Sequence, residues 1–173
     1  MINQSKLFQM SIKQPDVIVK FGKTSYMNVE YRFADHILLE DYDLEVTFSQ
    51  KMSPDEADKT ETEYLQKYPK QLYEFETNYE DLVDGEDEMR FMDKGVINKV
   101  IQELYDKRKN DWSKRFKHLN DEENTSPKMK FYFVTFFRKG SKSHSQWQKR
   151  VEKRAMEKEQ KRKDELNLQQ SLF

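Results

Sequence analysis

The spacing of apolar residues changes several times along this chain, and each change marks an element. After a leader of residues 1–11 without clear periodicity, "DVIVKFG" reads as a strand ending at Gly22. "SYMNVEYRF" then alternates, with Met27, Val29, Tyr31 and Phe33 on one face and Asn28, Glu30 and Arg32 on the other. Gly22-Lys23-Thr24 between them suits a hairpin. "DLEVTFSQ" alternates again, placing Leu44, Val46 and Phe48 inward and Glu45, Thr47 and Ser49 outward. Ser53-Pro54-Asp55-Glu56 starts a helix, because Ser53 caps, Pro54 suits the first helical position and Glu56 completes a capping box. That helix runs to about Tyr68.

Pro69 interrupts the pattern, after which Leu72, Phe75, Tyr79 and Leu82 recur at helical spacing up to Asp84-Gly85. From Asp93 a longer helix is expected, since Val96, Ile97, Val100, Ile101, Leu104, Trp112 and Phe116 mostly share one stripe. "MKFYFVTFF" is apolar on both faces and therefore predicts a central strand. These elements give an α+β fold over residues 12–140, a small antiparallel sheet with helices packed on one face. "RKGSKSHS" reads as a basic linker, followed by a helix opening near Ser145 whose apolar positions Trp147, Val151 and Ala155 last about two turns. Residues 141–173 are thus expected to form a projecting basic C-terminal helix and tail.

With 173 residues the chain suits one domain with extensions. Charged residues make up 36% and hydrophobic ones 35%, so the aromatic 13% must supply much of the core. Cysteine is absent, which excludes a disulfide framework and thiol catalysis. No apolar run is as long as a membrane span, and the first residues lack the regions of a secretory signal, so a soluble cytoplasmic protein without membrane attachment is expected. The net charge of -1 hides a segregation. Residues 34–94 hold nineteen acids and six bases, whereas residues 128–173 hold thirteen bases and five acids, so partners of opposite sign are expected at the two regions.

The basic region offers the first candidate chemistry. Arg138, Lys139, Lys142, Lys149, Arg150, Lys153, Arg154, Lys158, Lys161 and Arg162, with Lys163 beside them, have the density to neutralise several phosphates of a nucleic acid. Pairs such as Glu159 with Lys163 fit equally a helix that only solubilises. Phe131, Phe133, Val134 and Phe136 match the spacing of the central strand of RNA-recognition domains, but both glycines of that motif are missing and a buried core strand is the expectation. "FGKT" lacks the upstream glycine of a phosphate-binding loop, since Val17 occupies its position. Asp41, Asp43 and Glu45 would share a strand face and form the minority case for a metal-dependent nuclease. His36, His118 and His144 show no ligand spacing, nothing resembles a nucleophile with its base, and neither catalysis nor a cofactor is expected.

The last five residues are the most specific signal. Leu172 and Phe173 sit beside the most highly charged stretch, and exposing each forgoes about 1.5–3 kcal/mol relative to burial. Gln169-Gln170-Ser171-Leu172-Phe173 resembles the pentapeptide Gln-x-(Ser or Asp)-Leu-Phe by which bacterial replication and repair proteins dock on the ring-shaped DNA sliding clamp. The resemblance implies that Leu172 and Phe173 anchor in an apolar cleft of the clamp, that Gln169 bonds at its edge and that Ser171 tightens the turn between them. It covers five residues only.

The expectation is a non-enzymatic accessory or regulatory protein of bacterial, phage or mobile-element DNA metabolism, docked on the sliding clamp while its basic helix touches DNA. Two alternatives stand beside it. In one, the acidic region 80–88, with Glu80, Asp81, Asp84, Glu86, Asp87 and Glu88, mimics DNA towards a basic host protein. In the other, an assembly or chaperone protein grips a partner with the helical tail.

Overall fold

The computed structural model of the chain describes residues 15–70 and 88–172. It contains a four-stranded antiparallel sheet in the order β2-β4-β1-β3, built from β1 (Val17–Thr24), β2 (Tyr42–Met52), β3 (Met89–Arg90) and β4 (Met129–Arg138). Helices α1 (Val29–Arg32), α2 (Pro54–Lys67), α3 (Lys94–Lys107) and α4 (Lys142–Ser171) complete the α+β fold. Apolar on both faces, β4 lies at the centre of the sheet, and every residue from Phe131 to Phe137 is buried. The expected helix over residues 72–82 and the leader lie outside the described residues.

Side-chain alternation along β4 supplies two cores. On one face Phe131 and Phe133 join Val19, Phe21, Phe48 and Met52 beneath the two long helices, which contribute Ala57 and Tyr64 from α2 and Val100 and Leu104 from α3. Aromatic rings dominate this layer, Phe21 stacking at 4.9 Å on Phe133 and at 5.3 Å on Tyr64. On the other face Tyr132, Val134 and Phe136 are covered by Val29, Phe33 and Leu38. The long helices therefore lie on one face as expected, and short helical segments close the other.

That closure corrects the reading of "SYMNVEYRF" as a strand. Met27 is 81% exposed and Tyr31 62%, whereas Val29 and Phe33, four apart on one helical face, are buried. The hairpin at Gly22 is likewise absent: β1 continues to Thr24 in unbroken register with β4. Gly22 pairs with Tyr132, and a Cβ on it would overlap the Tyr132 ring and hydroxyl, so glycine serves here as room for an aromatic neighbour across the strands.

Two one-residue irregularities reconcile the sequence with the cores. A bulge at Thr47 shifts the register of β2 on β4, so Leu44 and Val46 face the α1 side while Phe48 falls on the α2–α3 side. The three do not share a face as simple alternation implies. In the helix after Asp93, Trp112 would point about 80° and Phe116 about 120° away from Leu104 at regular α-helical pitch. A π-helical segment, Arg108–Trp112, absorbs the mismatch and returns both rings to the core. Arg108 covers the opening, its guanidinium lying 4.1 Å from the Phe48 ring centre and its Nε donating to Gln50 Oε1 at 3.0 Å.

Caps set the helix starts where the sequence places them. Ser53 Oγ accepts from Glu56 N–H at 3.3 Å, and Asp93 Oδ1 accepts from Val96 N–H at 2.9 Å. At the β1–β3 edge the buried Lys20 pairs with Glu88 at 3.1 Å and lies 5.5 Å from the Phe33 ring centre. Burial lowers the Lys20 pKa while Glu88 opposes the shift. Burial, with Glu88 reinforcing it, pushes the neighbouring Glu61 up to about 7. His36 is driven down to about 4 by burial and by the charges of Lys20 and Arg32.

These two groups act on stability with opposite signs. Between about pH 4 and 6.5 the unfolded chain binds more protons at His36, so stability rises with pH; between about 4.5 and 7 the folded chain binds more at Glu61, so stability falls. Glu61→Gln should therefore leave stability near wild type at pH 4 and raise it progressively to a plateau above pH 7, as read from urea unfolding across that range. Gly22→Ala should lower stability by about 1–3 kcal/mol in the same assay, through crowding of Tyr132.

Candidate functional site

The sequence after β4 folds as a tight turn and a helix start in place of a linker. Gly140 takes a φ of 82°, a conformation that favours glycine, and Ser141 caps α4 by accepting from His144 N–H at 3.1 Å. The Ser141 hydroxyl also donates to the Arg138 carbonyl at 2.7 Å. α4 thus opens at Lys142, three residues before the expected Ser145, and its first turn is built into the body.

Two contacts fix this root. His144, 7% exposed, places Nε2 2.7 Å from Asp43 Oδ2 while its Nδ1 accepts from Gly140 N–H at 3.4 Å. The second bond leaves the proton on Nε2, which donates to the carboxylate. One turn on, Trp147 stacks on Phe137 with centroids 5.3 Å apart and planes 16° from parallel. Arg154 adds a third link, its Nη1 reaching Glu45 Oε1 at 3.1 Å.

Two of the three carboxylates considered for a metal are used in this anchoring. Asp41 precedes β2 as the C-cap of the 3₁₀ turn Ile37–Glu40, so it does not share the strand face of Asp43 and Glu45. Asp43 meets His144 and Glu45 meets Arg154, and among the described residues no group of three metal-ligating side chains is gathered. Sequence reading missed the Asp43–His144 pair because its members lie 101 residues apart. The glycine-serine step at Gly140-Ser141, a turn residue followed by an N-cap, was the signal that could have located the root.

Beyond the root, α4 becomes a bare shaft. Every residue from Gln148 to Leu172 is exposed, a stretch of about 37 Å at the α-helical rise. The expected basic residues divide accordingly. Arg138 pairs with Asp16 and the Lys139 ammonium donates to the Leu39 carbonyl at 3.1 Å, so both are tied to the end of the sheet. Lys142 lies at the root; Lys149, Arg150, Lys153, Arg154, Lys158, Lys161 and Arg162 lie on the shaft. Arg162 pairs with Glu159 at 2.8 Å, and Lys153 stands 4.0 Å from Glu157. Arg150, Arg154, Lys158 and Lys161 follow one another at four-, four- and three-residue steps and share a helix face.

At the tip, Gln169, Gln170 and Ser171 form the last turn, where Ser171 Oγ donates to the Leu168 carbonyl at 2.8 Å and Leu172 N–H donates to the Gln169 carbonyl at 3.3 Å. Leu172 is 74% exposed, and Phe173 lies outside the described residues. In the acidic region Glu80 to Asp87 also lie outside them, and Glu88 is engaged with Lys20.

The root of α4 also walls a cleft that no sequence pattern announced. It has a volume of about 1000 Å³ and opens between the sheet, α3 and the first turns of α4. Val17, Ile97 and Ile101 give it apolar surface, Tyr105 and Phe91 lie along it, and the Thr47 and Thr135 hydroxyls meet at its floor, 2.8 Å apart. Its acids have partners within the chain: Asp16 pairs with Arg138, Glu45 with Arg154, and Asp93 caps α3. Arg150 on one wall and Lys94 on the other have no ion pair among the described residues.

Neither protein-family models, nor curated proteins, nor solved structures include a match to this chain. Among the described residues no helix is long and apolar enough to cross a membrane.

Replacing Asp43 by Ala would strand the buried His144 N–H at a cost of about 1–3 kcal/mol. Hydrogen exchange should then show faster amides over residues 142–150 and unchanged amides along the already exposed shaft, a contrast that uniform destabilisation would not produce.

Proposed function

We propose that the protein is an accessory or regulatory factor of bacterial, phage or mobile-element DNA replication and repair, which docks on the sliding clamp through Gln169 to Phe173. The observation that carries this reading is the placement of the pentapeptide: it follows a shaft exposed from Gln148 onward, and Leu172 has no cover from the body. An apolar side chain displayed in this way is free to enter a partner's pocket. The last helical turn, held by the bonds at Ser171 and Leu172, is short enough to unwind on a partner.

Leu172 and Phe173 fill the clamp's apolar cleft in this reading, Gln169 supplies directional bonds at the rim, and Ser171 shapes the turn. Such a small anchor binds in the micromolar range, about 8 kcal/mol. DNA threaded through the same ring would meet the basic shaft at high effective concentration, so two weak contacts would give useful residence. The site of action is then the nucleoid, in the cytoplasm.

Titration of purified bacterial sliding clamp, followed by calorimetry, tests the proposal. The full chain should bind at micromolar concentrations, and Gln169→Ala should weaken it. The pair Leu172→Ala with Phe173→Ala should lose about thirtyfold or more. Equal affinity of wild type and the double variant, or no binding of either, would overturn it.

A further inference from the structure

We propose that the cleft at the root of α4 takes the unpaired bases of single-stranded DNA while the shaft follows its phosphates; the inference rests on reading α4 as a DNA-contacting helix and names the form of DNA it contacts. Arg150 and Arg154 belong both to the cleft wall and to the cationic face that continues through Lys158 and Lys161. The cleft and shaft are therefore one surface. Its cations recur about every 6 Å along the helix axis, with Glu157 on the same face and Arg154 paired with Glu45, so Arg150, Lys158 and Lys161 are the ones without an ion pair among the described residues. A polyanion with repeated charge suits that spacing.

The pairing inside the cleft points the same way. Asp16 and Glu45 are ion-paired within the chain and Asp93 accepts the capping bond of α3, while Lys94 and Arg150 line the same cleft without an ion pair among the described residues. The fitting occupant is flat, largely apolar and attached to negative charge. An unpaired nucleobase on its phosphodiester has that chemistry, and the half-exposed Tyr105 ring offers it a stacking surface. Bases of a duplex, already paired and stacked, cannot enter, so the cleft selects single strands where the shaft alone would not.

Fluorescence anisotropy with the full chain and a labelled mixed-sequence oligonucleotide, single-stranded or annealed, tests this at one fixed salt concentration. The single strand should bind about tenfold more tightly than the duplex. Asn98→Glu, on an exposed α3 position within the cleft, should weaken single-strand binding about tenfold, as should Lys94→Glu and Arg150→Glu. Lys59→Glu, on the exposed face of α2 and outside the cleft, matches the charge change of Lys94→Glu and should alter affinity less than about twofold. Circular dichroism confirms folding of each variant. Equal affinity for single strand and duplex, or equal behaviour of the Asn98→Glu and Lys59→Glu chains, would overturn the inference. Failure of the clamp reading is separable: loss of clamp binding with retained cleft-dependent single-strand binding removes the docking proposal alone, and the reverse pattern removes only this one.

Discussion

A strand that is apolar on both faces must be covered on both, and β4 imposes that requirement on the whole body. Its central place gives it hydrogen-bonded neighbours on either side, β1 and β2, which protects its backbone as completely as its side chains. The long helices answer one face. The other is answered by a few residues of short helix around Val29, Phe33 and Leu38, and Gly22 leaves the space that Tyr132 needs. The bulge at Thr47 and the π-helical segment at Arg108 are consequences of the same demand, since each moves aromatic side chains into the layer beneath α2 and α3.

The end of β4 then passes the constraint on to α4. Phe137, the last aromatic of the strand, meets Trp147, and Asp43, next to it on β2, meets His144. One face of the sheet is therefore core at one end and a mounting for the helix at the other. The bulge makes that division possible: before Thr47 this face of β2 presents Asp43 and Glu45 to α4, and after it the same face presents Phe48 and Met52 to the core. An unbulged strand would have kept one polarity from end to end.

The elements with strong periodicity or a capping mechanism were legible in the sequence: the helix after Ser53, the helix after Asp93, the two-faced strand and the polar shaft. The errors fall where spacing alone is ambiguous. Val29 and Phe33 fit both a period of two and a helical step of four, and the covering of Phe136 and Tyr132 decided between them. Gly22 was read as punctuation because a glycine whose purpose is to leave room for Tyr132 looks, in one dimension, like any turn residue. The partner of Asp43 and the cleft were beyond reach for a different reason. Both arise from residues brought together by tertiary structure, and no local pattern carries that information.

A helix of fixed rise is a ruler in a way that a glycine-serine tether is not. If its tip is gripped and the last turn unwinds, the shaft from Gln148 to Leu168 still holds the body about 31 Å from that turn, with a heading fixed at the root by the aromatic stack and the imidazole–carboxylate bond. Lengthening the shaft by two residues would swing the domain about 160° around the axis while moving it only about 3 Å outward. Orientation, far more than reach, is what such a stalk encodes.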